Sequence, residues 1–148
     1  MPTDQHQASL RRLFLALNRW CEPRGGLVLF AVLRLYLAPL RYREPDILLL
    51  LDAEDPRRQD RFWRGADLVA EIVSPSSRRH DLEVKRKDYA EAGIPEYWIV
   101  DPERGQVIVL VLEQDRYREL GRFGRGSSAR SRLLDGFEIP VSSILGAR

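Results

Sequence analysis

Cysteine is almost missing from this chain of 148 residues: Cys21 stands alone. An internal disulfide is therefore excluded, which is the pattern of a reducing compartment. Long apolar runs are also missing, and none approaches the ~18 residues that a membrane helix needs. The opening Met1-Pro2-Thr3-Asp4-Gln5-His6 has neither a basic n-region nor an apolar h-region. No signal peptide is visible there, so a cytoplasmic protein with no membrane partner is expected. Net charge is only +2, too little by itself to imply nucleic acid. Lysine is the scarcest base: Lys85 and Lys87 are the only two among 24 Lys and Arg residues. Codon bias towards arginine explains the ratio. Under such a bias a persisting lysine marks a candidate for a position that arginine cannot fill, because only lysine presents a compact charge that can lose its proton.

The rest of the composition, 44% apolar and 31% charged, is that of a globular chain able to bury a core without staples. The length predicts one domain over residues 1–148. Leu10, Leu13, Phe14, Leu17, Trp20 and Cys21 recur at helical spacing, which predicts a helix over 5–21. Thr3 or Asp4 caps its start, and Pro23 with Gly25-Gly26 ends it. His6, in its first turn, reads as a capping or surface residue rather than a ligand, since no His or Cys lies four places on.

Residues 27–37 read as one long strand bent near Ala31, and 46–51 as the next. Between 52 and 64 lies a polar loop with Arg57, Arg58 and Arg61, punctuated by Phe62 and Trp63. Such a loop can grip phosphates and stack on bases, or be a solvated loop pinned by its aromatics. Residues 67–73 form a strand. Ser74-Pro75-Ser76-Ser77 breaks it, and a serine there can cap a helix over 79–92 that Gly93 and Pro95 end. Strands follow at 96–101, 106–112 and 116–123. From Arg116 to Arg132 six arginines, Arg122 and Arg125 among them, face one acid, Glu119. That stretch reads as a basic arm for nucleic acid or a solvated loop. Phe137 to Leu145 is a strand or turn with a short helix.

Acids inside apolar strands are rare, because an unpaired buried carboxylate costs several kcal/mol or changes protonation. Glu71 sits between Ala70 and Ile72 in such a strand, and Asp46 heads the one before it. If the two strands pair antiparallel, the carboxylates converge. Two carboxylates with a neighbouring backbone carbonyl, that of Ile72, make an oxygen-only site suited to Mg²⁺ or Mn²⁺. Leu82, Lys85 and Tyr89 share a helix face that should turn to the sheet, whereas Glu83, Lys87 and Glu91 form an exposed row. An ammonium at Lys85 could orient a water and offset phosphorane charge. A structural Glu71–Lys85 ion pair is the other reading of these residues.

Several stretches together resemble the Uma-type family of restriction-endonuclease-like proteins, within the PD-(D/E)XK nuclease superfamily. They are Pro45-Asp46, Asp67 to Ser76, then Asp81, Lys85 and Tyr89, and above all the run Gly93 to Pro102. The likeness spans about residues 5–145, since His6-Gln7 resembles the start of the family's first helix. It implies an α/β fold of the restriction-endonuclease type: a mixed central sheet flanked by helices, with a long N-terminal helix. It also implies a Mg²⁺-dependent endonuclease acting on nucleic acid, DNA before RNA, often as a homodimer. A non-catalytic domain of the same fold, binding nucleic acid or a partner, is the alternative. Asp46 and Glu71 match the family's two acids. Val73 stands where the superfamily carries lysine, and Lys85 on the next helix is the matching position. The N-terminal segment of the family is expected to be shortened in this chain. The catalytic set implied is thus Asp46, Glu71 and Lys85, and the metal set Asp46, Glu71 and Ile72; the basic stretches themselves, not the resemblance, offer Arg57, Arg58, Arg61, Arg122 and Arg125 as candidate nucleic-acid-binding residues.

Overall fold

The structure, a computed structural model, describes residues 3–75 and 78–147 (of 78–80 the backbone alone). Helix α1, Asp4–Cys21, starts at Thr3, whose Oγ1 accepts the His6 N–H at 3.1 Å. A short 3-10 turn, Glu22–Arg24, leads to Gly25 in the left-handed region and to Gly26. A Cβ on Gly26 would collide with Cys21 Sγ and the Leu50 carbonyl, so only glycine lets the chain turn this close to the sheet.

The main sheet holds six strands: β1 (Leu27–Phe30), β4 (Ile47–Leu50), β6 (Leu68–Ile72), β7 (Glu96–Asp101), β8 (Gln106–Glu113) and β9 (Arg116–Gly124), in the order β1-β4-β6-β7-β8-β9. Within this sheet only β6 and β7 run parallel, and the crossover between them is helix α2, Arg78–Glu91. The central strands read as unbroken apolar runs because both faces are covered: every residue of β4, β6 and β7 is buried. On one face Leu10, Leu13 and Leu17 of α1 pack with Ile47, Leu49, Ala70 and Trp98. Helix α3 (Val141–Leu145) and the paired strands β10 (Ser128–Arg130) and β11 (Glu138–Pro140) complete that layer. On the other face α2 brings Tyr89 against Val69, Tyr97 and Leu110.

One expected strand becomes two. Residues 27–37 do not form a single bent strand: β1 ends at Phe30, and the chain crosses to the α2 face to form β2 (Arg34–Ala38). There β3 (Arg41–Arg43), β2 and β5 (Phe62–Trp63) make a separate three-stranded sheet. Leu35 and Trp63 point inward from it and are fully buried. Apolar periodicity runs through both pieces, so it cannot register a change of sheet. The loop at 52–64 thus contains a strand, and the arginine-rich stretch after 116 is the outer strand β9 followed by β10. Strand β8 is internal, with β7 on one side and β9 on the other. The serine cap expected for α2 falls, for Ser76 and Ser77, outside the described residues. No helix among the described residues is long and apolar enough to cross a membrane.

Candidate active site

Strands β4 and β6 pair antiparallel with Ile47 opposite Ala70, so one step further Asp46 stands beside Glu71 at one end of the sheet. Asp46 is held from two directions. Its Oδ2 accepts the Ile72 N–H at 2.7 Å, and His6 Nε2 lies 3.4 Å away. Glu71 is 4% exposed and turned to the α2 face. Its Oε2 accepts the Tyr89 hydroxyl at 2.6 Å, and Lys85 Nζ stands 3.4 Å from Oε1. Helical spacing explains the arrangement: Asp81, Lys85 and Tyr89 are successive turns of one face of α2, and Asp81 Oδ2 is also 3.9 Å from Lys85 Nζ.

Burial pushes the Glu71 carboxyl up to about 7; Lys85 pulls it back down, and the neighbouring Asp46 adds to the rise. Tyr89 is raised well above an ordinary phenol by burial and by the Glu71 charge, so it stays a proton donor. A cation fits this pair on those grounds. It would relieve both the desolvation of Glu71 and its repulsion by Asp46. Among the described residues no group of three or more His, Cys, Asp or Glu side chains is placed to hold a metal. Two carboxylates are nevertheless enough for Mg²⁺, which keeps several waters and takes further oxygens from a phosphate. Ile72 takes part through its N–H to Asp46. Beside Glu71 and Lys85 opens a cleft of about 540 Å³, lined also by Arg34, Leu40, Tyr42, Arg43 and Glu44.

The arginines named from the sequence do not gather here. Arg57 joins Asp55 and Asp67, each at 2.7 Å, and Arg58 donates to the Ala53 carbonyl. Asp67 precedes β6 and binds the Leu51 N–H just past β4, so this cluster sits at the far end of the two strands from Asp46 and Glu71. Arg61 is exposed ahead of β5. Arg122 faces Ile108, Ile99 and Glu71 in one line across the sheet, three strands or about 14 Å from Glu71. It is paired with Glu119, and Arg125 donates to the Gly146 carbonyl. The sequence reading missed His6, because it looked for a partner within the helix and the partner is Asp46. It also gave Tyr89 a packing role only.

The class is thus an α/β protein with a mixed sheet, two acids at adjoining strand ends and a helix-borne lysine beside them. The sequence profile of the Uma2 family, described as "Putative restriction endonuclease", matches residues 1–142, and the chain belongs to that family. Solved structures share the fold. One, from Anabaena variabilis, is described as a putative nuclease belonging to DUF820. It superposes with a TM-score of 0.78 at 17% identity, over 98% of this chain and 82% of that one. No curated protein matches the chain.

Proposed function

We propose that this protein is a metal-dependent nuclease that hydrolyses phosphodiester bonds of nucleic acid, DNA in the first place. Asp46 and Glu71, with the Ile72 carbonyl, would hold Mg²⁺ or Mn²⁺. The ion supplies Lewis-acid stabilisation of charge on the phosphate when bound. The side chains around it do the positioning. The Ile72 N–H and His6 fix Asp46, and Tyr89 fixes Glu71 through Oε2. Lys85, on the cleft side of Glu71, orients the attacking water and offsets negative charge that grows on the phosphate oxygens. A single-stranded substrate needs one such site, and a duplex needs two, hence a homodimer. The observation that carries this reading is a buried carboxylate at a strand end, facing a second carboxylate and in contact with a lysine on the wall of an open cleft.

Incubation with mixed DNA and RNA, with and without Mg²⁺, tests it. Cleavage that needs the divalent ion and disappears in Asp46→Ala and Glu71→Ala is the expected result. Cleavage that survives Glu71→Ala removes the residue from the mechanism.

One observation favours a non-catalytic binding domain as the second reading: both Glu71 oxygens already have partners inside the protein. Salt-sensitive binding without cleavage identifies that case.

A further inference from the structure

Side chains alternate across the small sheet β3-β2-β5, and its two faces differ. Inward go Leu35 and Trp63, with no more than 1% exposure. Outward go Arg34, Tyr36, Tyr42 and Phe62. The solvent side of a sheet is ordinarily polar, yet this one carries three aromatic rings in mutual contact. Centroids lie 5.6 Å apart for Tyr36–Tyr42, 5.8 Å for Tyr42–Phe62 and 6.4 Å for Tyr36–Phe62. Tyr42 is 43% exposed. Two guanidinium groups lie over the cluster, Arg64 at 4.8 Å from the Tyr36 ring and Arg34 at 5.9 Å from that of Tyr42.

This patch runs into the cleft beside Glu71 and Lys85, because Arg34 and Tyr42 also line that cleft. At its mouth Leu40 forms the tip of the β2–β3 hairpin. It is almost fully exposed and has a left-handed backbone, φ 62°, which leucine adopts only under constraint. The hairpin is fixed to α2. Asp88 accepts from Arg41 Nη2 at 2.7 Å and from Arg43 Nε and Nη2 at 3.0 and 2.7 Å, and Lys85 stands one turn earlier on the same helix. The rings are therefore held in a set position relative to the proposed reacting groups.

We propose that the outer face of this sheet stacks unpaired nucleotide bases and feeds a single strand into the cleft. Aromatic rings offer a base its own kind of flat partner, whatever the base identity, while the arginines meet the phosphates between them. A duplex hides those base faces and gains nothing from the rings. The proposal rests on the nuclease reading for its reaction, but the surface itself binds without it.

Fluorescence anisotropy in EDTA, on Glu71→Gln protein, separates the two. The probes are a labelled oligo-dT strand, a labelled oligo-rU strand and a DNA duplex of the same length. Single strands should bind more tightly than the duplex. Tyr42→Ala should weaken single-strand binding by about 5- to 100-fold while duplex binding holds, and Tyr42→Trp should retain it. Arg34→Ala should weaken both and flatten their salt dependence. Single-strand affinity unchanged in a folded Tyr42→Ala protein overturns the proposal, as does a preference for duplex. So does light scattering that shows a wild-type dimer split by Tyr42→Arg with single-strand binding intact, which would make the rings a contact between copies. Strand preference without any Mg²⁺-dependent cleavage by the wild type sinks the nuclease reading and leaves the surface standing.

Discussion

Tyr89 donates its hydroxyl to Glu71 Oε2 at 2.6 Å from the same helix that places Lys85 Nζ 3.4 Å from Oε1. One buried carboxylate is thus held at both oxygens by a single element, α2, which packs on the sheet through Tyr89. The helix and the acid belong to one rigid arrangement, and what α2 does to Glu71 can be measured through protonation as well as through reaction.

Glu71 should make metal-free stability fall as pH rises. Its folded value of about 7 lies above the ordinary 4.5. Below about pH 4.5 both states are protonated and nothing is lost; between there and about 7 the unfolded chain ionises first; above 7 the loss is complete, on the order of 3 kcal/mol. Glu71→Gln does not titrate and keeps an acceptor for Tyr89. Denaturant unfolding of the two proteins at about pH 5 and about pH 8 should show the variant gaining on the wild type at the higher pH. Added Mg²⁺ should close the gap by stabilising the wild type alone.

Lys85 should resist replacement. Lys85→Ala is expected to slow single-turnover cleavage by about 10²–10³-fold, the usual effect of losing one preorganised donor at developing charge. Lys85→Arg should not restore it, because a planar, longer guanidinium cannot occupy the place of a compact ammonium wedged between Glu71 and Asp81. A rate for Lys85→Arg close to wild type would reduce the residue to a mere positive charge.

Glu96 shows where sequence reading stops. Like Glu71 it is an acid in a buried strand, and the two look alike on the page. The difference lies in what surrounds them. Glu96 accepts the Trp98 indole N–H, the Ser131 hydroxyl and the backbone N–H groups of Arg132 and Leu133. Trp98 is a neighbour in the same strand, but the other three come from a loop far along the chain, which no local pattern announces. The convergence of Asp46 with Glu71 was legible as a condition, because an acid that heads one strand meets an acid near the end of the next once the two pair antiparallel, and Lys85 because helical spacing fixes its face. His6, the division of residues 27–37 and the internal place of β8 were not, since each depends on which distant segment lies alongside. Glu96→Ala should accordingly destabilise the fold by about 3–5 kcal/mol by stranding buried donors, and leave the cleavage rate of the folded fraction untouched.

Arg57 should likewise matter for folding more than for binding. Its guanidinium bridges Asp55 and Asp67, which holds both acids at the far end of β4 and β6. Arg57→Ala should cost about 1–2 kcal/mol in denaturant unfolding, since the group is partly exposed and screened. Nucleic-acid affinity at matched salt should change no more than it does for Arg61→Ala.

Asp88 separates two effects that a simple charge argument would merge. It is buried and holds Arg41 and Arg43, so Asp88→Ala removes an anion and releases two cations beside the cleft. Charge alone predicts tighter binding to any polyanion, with a steeper salt slope, and duplex binding should follow it. The stacking surface predicts the opposite for single strands. Once its anchor to α2 is gone, the β2–β3 hairpin no longer holds Tyr42 in register with Lys85, and ordering it on binding takes free energy from the complex. The ratio of single-strand to duplex affinity should therefore drop about ten-fold even as duplex affinity rises, and cleavage of single strands should slow with it. Anisotropy titrations of both probes across a salt series give the ratio directly. A ratio that stays at the wild-type value would mean that the hairpin keeps its place without Asp88 and that the two arginines serve only to balance its charge.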